Sequence, residues 1–591
     1  MRQALPQFPL LLISVSLAAN AIAPTFFAQQ PSTSLKQADA DYREGAAALS
    51  RNDLKTAQSK FESVVKLAPE AEQGHSALGA VLVREGQMET GIRELHRALA
   101  IKPGDTSAQI NLAVAYEQTN DPAKALPLFA KADAAGNAEK HPLPPSMLEA
   151  YARALFATHQ TSAAIATMKR AVAEDSRNPE PLDELGSIYA QLQDWPNAEQ
   201  QFIAAIRFQP GFAIAHLHLG FVLQSEQKPA AASEWMQAYN LAPNDPQTAL
   251  AVGTALANVG QDDQAVPVLE QALHLQPSSA SAAYQLALVL QRVDRVQDAI
   301  PLFKSVVEAE PDNADALINL GMALSQAHQA TDAVPYLQHA ISLHPDSPIA
   351  HQNLAAAYIQ INQIADAENE LRAAIKLAPD SPQLHYDLGV AYKLRDDATD
   401  AIPQLEAAEK LNPSAYEPAY LLGLMYMQVA RYQESAAQLE ASLKLHTQNG
   451  EAWATLGSVY TKLDRLPEAA SALREAARQL PDQADPHLNL ATVLIKQNQP
   501  AEAAAERKIG ADLMRAHMNQ QRAEVATNSG KSLMQAGKID DAITQFRDAL
   551  SFDPQFAEAH LQLADALEKQ GKPVEAAAER AQAKSLANPT Q

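Results

Sequence analysis

The chain has 591 residues, of which 47% are hydrophobic and only 5% aromatic, with no cysteine and a formal charge of −23 at pH 7. The missing cysteines exclude disulfides, thiol catalysis, thiolate metal sites and a lipidated N-terminal cysteine. The strong acidity argues against a nucleic-acid partner, whose phosphates require a basic surface.

In chain order, residues 1–30 stand apart. Arg2 precedes an apolar run from Phe8 to Ala23, which ends in small residues and is followed by polar Gln29 and Gln30. The run is shorter than the roughly 18–20 residues of a spanning helix, and its layout is that of an export signal. Cleavage is expected after Ala21, giving a periplasmic or secreted protein without a membrane span; the alternative is an uncleaved N-terminus anchored in the inner membrane. Residues 31–37 read as a linker.

From about Ala38 a unit of about thirty-four residues recurs sixteen times, starting near 38, 72, 106, 145, 179, 213, 246, 280, 314, 348, 382, 416, 450, 484, 523 and 557. Copies one to three occupy 38–137. A proline-rich insert follows at 138–144, where Pro142 and Pro144 forbid a helix. Copies four to fourteen occupy 145–517. An extension at 518–522 has no breaker, so one long helix is expected there. Copies fifteen and sixteen, with a polar tail, fill 523–591. Copies fourteen and sixteen carry Arg507 and Arg580 where others have Leu or Phe, a polar face suited to a terminal repeat.

Copy thirteen, Gly450 to Pro481, shows the unit most clearly. Trp453, Leu456, Val459, Tyr460 and Leu463 recur at spacings of three and four, the stripe of one helix face. Asp464 and Arg465 interrupt it, and Pro467 starts a second helix, whose apolar face is Ala469, Ala472, Leu473 and Ala476. Gly457 and Ala469 are small where the two helices approach. Prolines 127, 267, 301, 335 and 403 fall two residues after the small alanine of their second helices, so they are expected within the first turn, where no N–H has an intrahelical partner. The pattern Trp453-x-x-Leu456-Gly457-x-x-Tyr460 followed by Ala469-x-x-x-Leu473-x-x-Ala476 resembles the tetratricopeptide repeat. The resemblance implies an all-α, right-handed superhelical solenoid of about sixteen antiparallel helix hairpins, each covering its neighbour's exposed stripe.

The sequence outside the repeats has no room for a catalytic domain, and no phosphate loop, HExxH or nucleophile elbow occurs. The expectation is a non-enzymatic protein with no cofactor and no metal. His216 and His218 are two apart on a helix and do not share a face. His75, His216, His351, His385, His487 and His560 occupy the place of Trp453 and read as rings wedged between adjacent hairpins. Acidic residues at the start of first helices, Glu180, Asp315, Glu417 and Glu451 among them, either compensate the helix dipole or mark an acidic groove.

The functional signal is a series at the sixth place of the copy: Asn111, Asn319, Asn353, Asn489 and Asn528, with Gln285 and Asp387 at the same place elsewhere. In tetratricopeptide arrays this place faces the concave groove, and the series resembles the asparagine ladder of the O-linked N-acetylglucosamine transferases, which holds the backbone of extended peptides. The transferase domain is absent. An amide both donates and accepts, so it can pair with a peptide group whatever the side chain. Tyr284, Tyr386 and Tyr420 lie beside it as flat amphipathic surface. The opposing reading is an exposed helix residue, or one bonded to a neighbouring repeat. Gln285, Asn319, Asn353 and Asp387, in copies eight to eleven, mark the expected centre. The carboxylate clamp of some tetratricopeptide domains is not expected, because Lys393 and Arg153 are scattered.

The expected function is therefore a scaffold binding a protein or extended peptide in its groove. The alternative is a structural component of an envelope machine for secretion, polysaccharide export or outer-membrane assembly. The oligomeric state is open.

Overall fold

The computed structural model describes residues 33–139, 142–175 and 177–587. The export signal at 1–30 lies outside them. The described residues form thirty-one α-helices and no strand, an all-α solenoid of helix hairpins. The first helix begins at Thr33, inside the stretch read as a linker. Two compact units divide the chain, one ending at Val306 and the other starting at Val307.

A regular copy has a thirteen-residue first helix, a tight turn and a fourteen-residue second helix, as in Gly450–Lys462 and Leu466–Gln479. The hairpin closes around the small place of the first helix. A Cβ on Gly457 would lie 2.5 Å from Cγ of Leu473 and 3.3 Å from the carbonyl oxygen of Ala469. Only a bare Cα lets the second helix come this close. Within each unit a hairpin then packs its second helix on the first helix of the next copy. Most first helices of successive copies within a unit also touch one another, so they form its more closely spaced, inner face.

All sixteen turns share one conformation that the interrupted stripe does not reveal. The fifteenth place of every copy is left-handed, glycine in four copies and Asn, Asp, His, Gln or Ala in the rest. Ala430, with φ of 60°, is the least suited of these, because its methyl clashes with the following carbonyl. Ala430→Gly is expected to raise stability by roughly 0.5–1 kcal/mol, the strain relieved exceeding the added entropy of the unfolded chain. The urea midpoint of the second unit's transition checks it.

The internal prolines correct one expectation. Pro267, Pro301, Pro335 and Pro403 each stand at the sixth residue of their helix, past the first turn. Each leaves a carbonyl one turn earlier without its usual donor. The helix continues because it is held from both sides: Ala401 and Leu405, flanking Pro403, are fully buried.

The histidine place ties copies together. Nδ1 of His75 lies 2.7 Å from Glu94 in its own second helix, and Nε2 lies 2.9 Å from the carbonyl oxygen of Pro69, the residue that closed the copy before. His216, His351 and His560 repeat the arrangement with Glu234, Glu370 and Glu579 and with the carbonyls of Pro210, Pro345 and Pro554. Trp453 fills the same place, and its Nε1 donates to the Thr447 carbonyl at 3.0 Å.

At 500–535 the second helix of copy fourteen, the extension and the first helix of copy fifteen form one helix, Pro500–Gln535. None of its residues from 511 to 522 is buried. Arg580, near the end, bonds Asp565 and Glu568 and presents a charged face.

Candidate functional site

In the second unit the sixth place divides into two kinds of residue. Asn353 is half-buried on its helix, Pro348–Gln360, and its amide makes no hydrogen bond within the described chain. Asn489 and Asn528 are exposed and equally uncommitted. Asn319 donates to the carbonyl of Asp315 in its own helix at 2.9 Å. Asp387 is tied down: Gln352 of the preceding copy donates to one oxygen at 2.6 Å and Gln383 to the other at 2.8 Å. It therefore fastens two copies, which is the opposing reading of the ladder. Burial raises its carboxyl above the ordinary range, against those two hydrogen bonds.

Tyr386 and Tyr420 stand half-buried one place before the ladder in successive copies, with hydroxyls that bond nothing in the described chain. Burial raises both phenols. Glu417 raises Tyr386 further, and Glu451 does the same to Tyr420. The acidic starts of the first helices thus lie beside the tyrosines of the copy before, which makes this face acidic as well as amphipathic.

In the first unit Asn111 and Gln285 are half-buried with uncommitted amides. Tyr284 turns inward and meets Phe303 edge-on, ring centres 6.0 Å apart, so it belongs to its hairpin's core.

The same inner face of the first unit carries a cavity of about 470 Å³ between copies four, five and six. Its walls include Phe156, Met168, Ile188, Leu192 and Phe212, and Arg153, Glu180, Asp183, Glu184 and His218 also line it. Arg153, on helix Pro145–Ala157, donates from Nε to Glu117 of the copy before and from Nη1 to Glu184 of the copy after, both at 2.7 Å. Its side chain is only 14% exposed. Burial pulls its pKa down, but Glu184 and Glu117 outweigh that and hold it above its ordinary range. Nδ1 of His218 meets both oxygens of Asp183, at 3.0 and 3.1 Å. Glu149, 3% exposed, is pushed up to about 8 by burial and then by the charge of Glu184. Burial likewise raises Glu184, against the opposing pull of Arg153.

Sequence reasoning missed this cluster, although its register was readable. Glu184 and His218 hold the sixth place of copies five and six, and a search for amides at that place passes over them. The bond from Asp183 to His218 joins the fifth place of one copy to the sixth of the next, as Gln352 and Asp387 do. His216 and His218 have separate partners, Glu234 and Asp183.

Tetratricopeptide-repeat models match residues 77–139, 184–246, 284–348, 391–449 and 420–484, and others match 324–388 and 530–571. The chain belongs to the tetratricopeptide-repeat family. No curated protein matches this tetratricopeptide-repeat chain. Among solved structures, the Cut9-Hcn1 hetero-tetramer of the APC/C is 16% identical, with 84% of this chain and 96% of that chain covered and a TM-score of 0.34. YrrB, described as a TPR protein with an unusual peptide-binding site, is 22% identical over 32% of this chain and 96% of that one, with a TM-score of 0.28. MamA from Desulfovibrio magneticus RS-1 is 21% identical over 29% and 96%, also at 0.28.

Proposed function

We propose that this tetratricopeptide-repeat chain is a non-enzymatic scaffold that holds an extended peptide, or an extended segment of a protein partner, along its first-helix face. The observation that carries the reading is the set of uncommitted amides there. Asn353, Asn489 and Asn528 in the second unit, and Asn111 and Gln285 in the first, keep side-chain donors and acceptors that no group among the described residues uses. Unpaired amides at a recurring place suit the periodic N–H and C=O groups of a stretched peptide. Tyr386 and Tyr420 add rigid contact area at low entropic cost. The apolar run from Phe8 to Ala23 adds export to the proposal, with binding outside the cytoplasm.

The test is a displayed library of random twelve-residue peptides selected on the native chain. Enriched peptides are then titrated by fluorescence anisotropy against native protein and against a variant carrying Asn353→Ala, Tyr386→Ala and Tyr420→Ala. At least about tenfold weaker binding, roughly 1.4 kcal/mol, is expected for peptides docking on the second unit. Undiminished binding of every enriched peptide would move the second unit's site off this face.

A further inference from the structure

We infer that the cavity between copies four, five and six is a socket for a basic side chain, lysine or arginine, of the bound peptide. The inference rests on the peptide-binding reading and says what the first unit selects. Its walls suit an aliphatic stem: Phe156, Ile188, Leu192 and Phe212 line it together with Met168. A lysine or arginine buries such a stem along apolar surface and needs an acceptor only at its tip.

The acceptors are in surplus. Glu117 and Glu184 share a single guanidinium, Arg153, while Asp183, which meets His218, and Glu180 add two more carboxyl groups to the cavity lining. Arg153 bonds one oxygen of Glu184; the other, Oε2, is buried and accepts no hydrogen bond. A buried acceptor left unpaired has lost its water without a replacement donor, at a cost in free energy. A bound ammonium or guanidinium reaching this carboxylate would supply the missing donor and relieve the crowding of like charges.

Other ligand classes fit less well. An anionic side chain would meet Arg153 only where two carboxylates already hold it. A neutral apolar side chain would displace solvent from the carboxylates and leave Glu184 unsatisfied. A metal ion lacks its ligands, since no group of three or more His, Asp or Glu among the described residues converges to hold one.

The experiment uses the full chain and four labelled nine-residue peptides, blocked at both ends and built of Ala, Ser and Gln around one central residue: arginine, lysine, norleucine or glutamate. Arginine and lysine peptides are expected to bind at least about tenfold tighter than the other two. Glu184→Gln removes the acceptor, and Ser187→Phe fills the cavity without touching a charge, so each is expected to abolish the preference. The second variant keeps the test decisive if the first perturbs Arg153.

Library peptides that bind the native chain with no basic preference, or a preference that survives both variants, would overturn the socket alone. Saturable binding of agmatine that the arginine peptide fails to compete would assign the cavity to a free cation and also overturn it. Failure of all four peptides and of the selected library to bind would overturn the peptide-binding reading, and the socket with it.

Discussion

Arg153→Met is expected to destabilise copies four and five by about 3–5 kcal/mol at neutral pH, because it strands Glu117 and Glu184 without their shared cation. The loss should appear as faster hydrogen exchange in helices Pro145–Ala157 and Glu180–Gln191, with helices of the second unit unchanged, since repeat stability is a sum of local and neighbour terms. Acid should shrink the deficit, because a protonated carboxyl no longer needs the guanidinium. An equal loss of protection in distant copies would instead show that the array unfolds as one body.

Glu149 gives this region a pH dependence whose sign can be worked out. Its folded-state pKa is raised from the ordinary 4.5 to about 8. The folded chain therefore keeps a proton that the unfolded chain releases first. This contribution to stability is fully present below about pH 4.5, is lost as pH rises toward 8, and changes no further above it. Glu149→Gln imitates the protonated acid at every pH. The variant should match the native chain near pH 4.5, gain on it steadily up to pH 8, and hold a constant lead beyond. Urea midpoints of the two proteins across that range check the curve, and parallel curves would contradict it.

Trp235→Ala should cost about 3–5 kcal/mol in copy six, the usual range for emptying a fully buried aromatic site. Trp235 is completely buried, with Cδ1 and Nε1 of its indole ring pressed against the bare face of Gly220, where an added Cβ would lie 2.4 Å away. Trp235→Phe should be far milder, about 1 kcal/mol or less. The smaller ring leaves some void, but the indole N–H it removes is buried without an acceptor, and an orphan donor carries its own penalty. Protection of helices Ala213–Ser225 and Ala231–Leu241 against exchange distinguishes the two variants. A phenylalanine variant as unstable as the alanine one would mean that the N–H has an acceptor after all.

Much of this molecule was legible in its order of residues. The stripe of Trp453, Leu456 and Tyr460, the small Gly457 and the closing Pro481 recur at a fixed interval. Each is a local requirement of one hairpin, satisfied within about thirty residues and repeated sixteen times. The histidine place was readable for the same reason: recurrence at a packing position implied a ring between hairpins, and the bonds of His75 to Glu94 and Pro69 are that wedge. The ladder register was legible as well, since it follows from the same period.

What each ladder residue does was decided only in the tertiary structure. Asn353 is uncommitted, whereas Asp387 is taken up by Gln352, thirty-five residues earlier. Arg153, scattered when read along the chain, draws Glu117 and Glu184 together from the copies on either side. The left-handed fifteenth place and the sixth-residue prolines were hidden too, because tertiary packing overrides the local preferences of Ala430 and Pro403. The period by itself determined the hairpin and its stacking, which every copy must satisfy alike. The site depends on particular side chains meeting across copies, and charge, burial and hydrogen bonding acquire their values only where those copies are brought together.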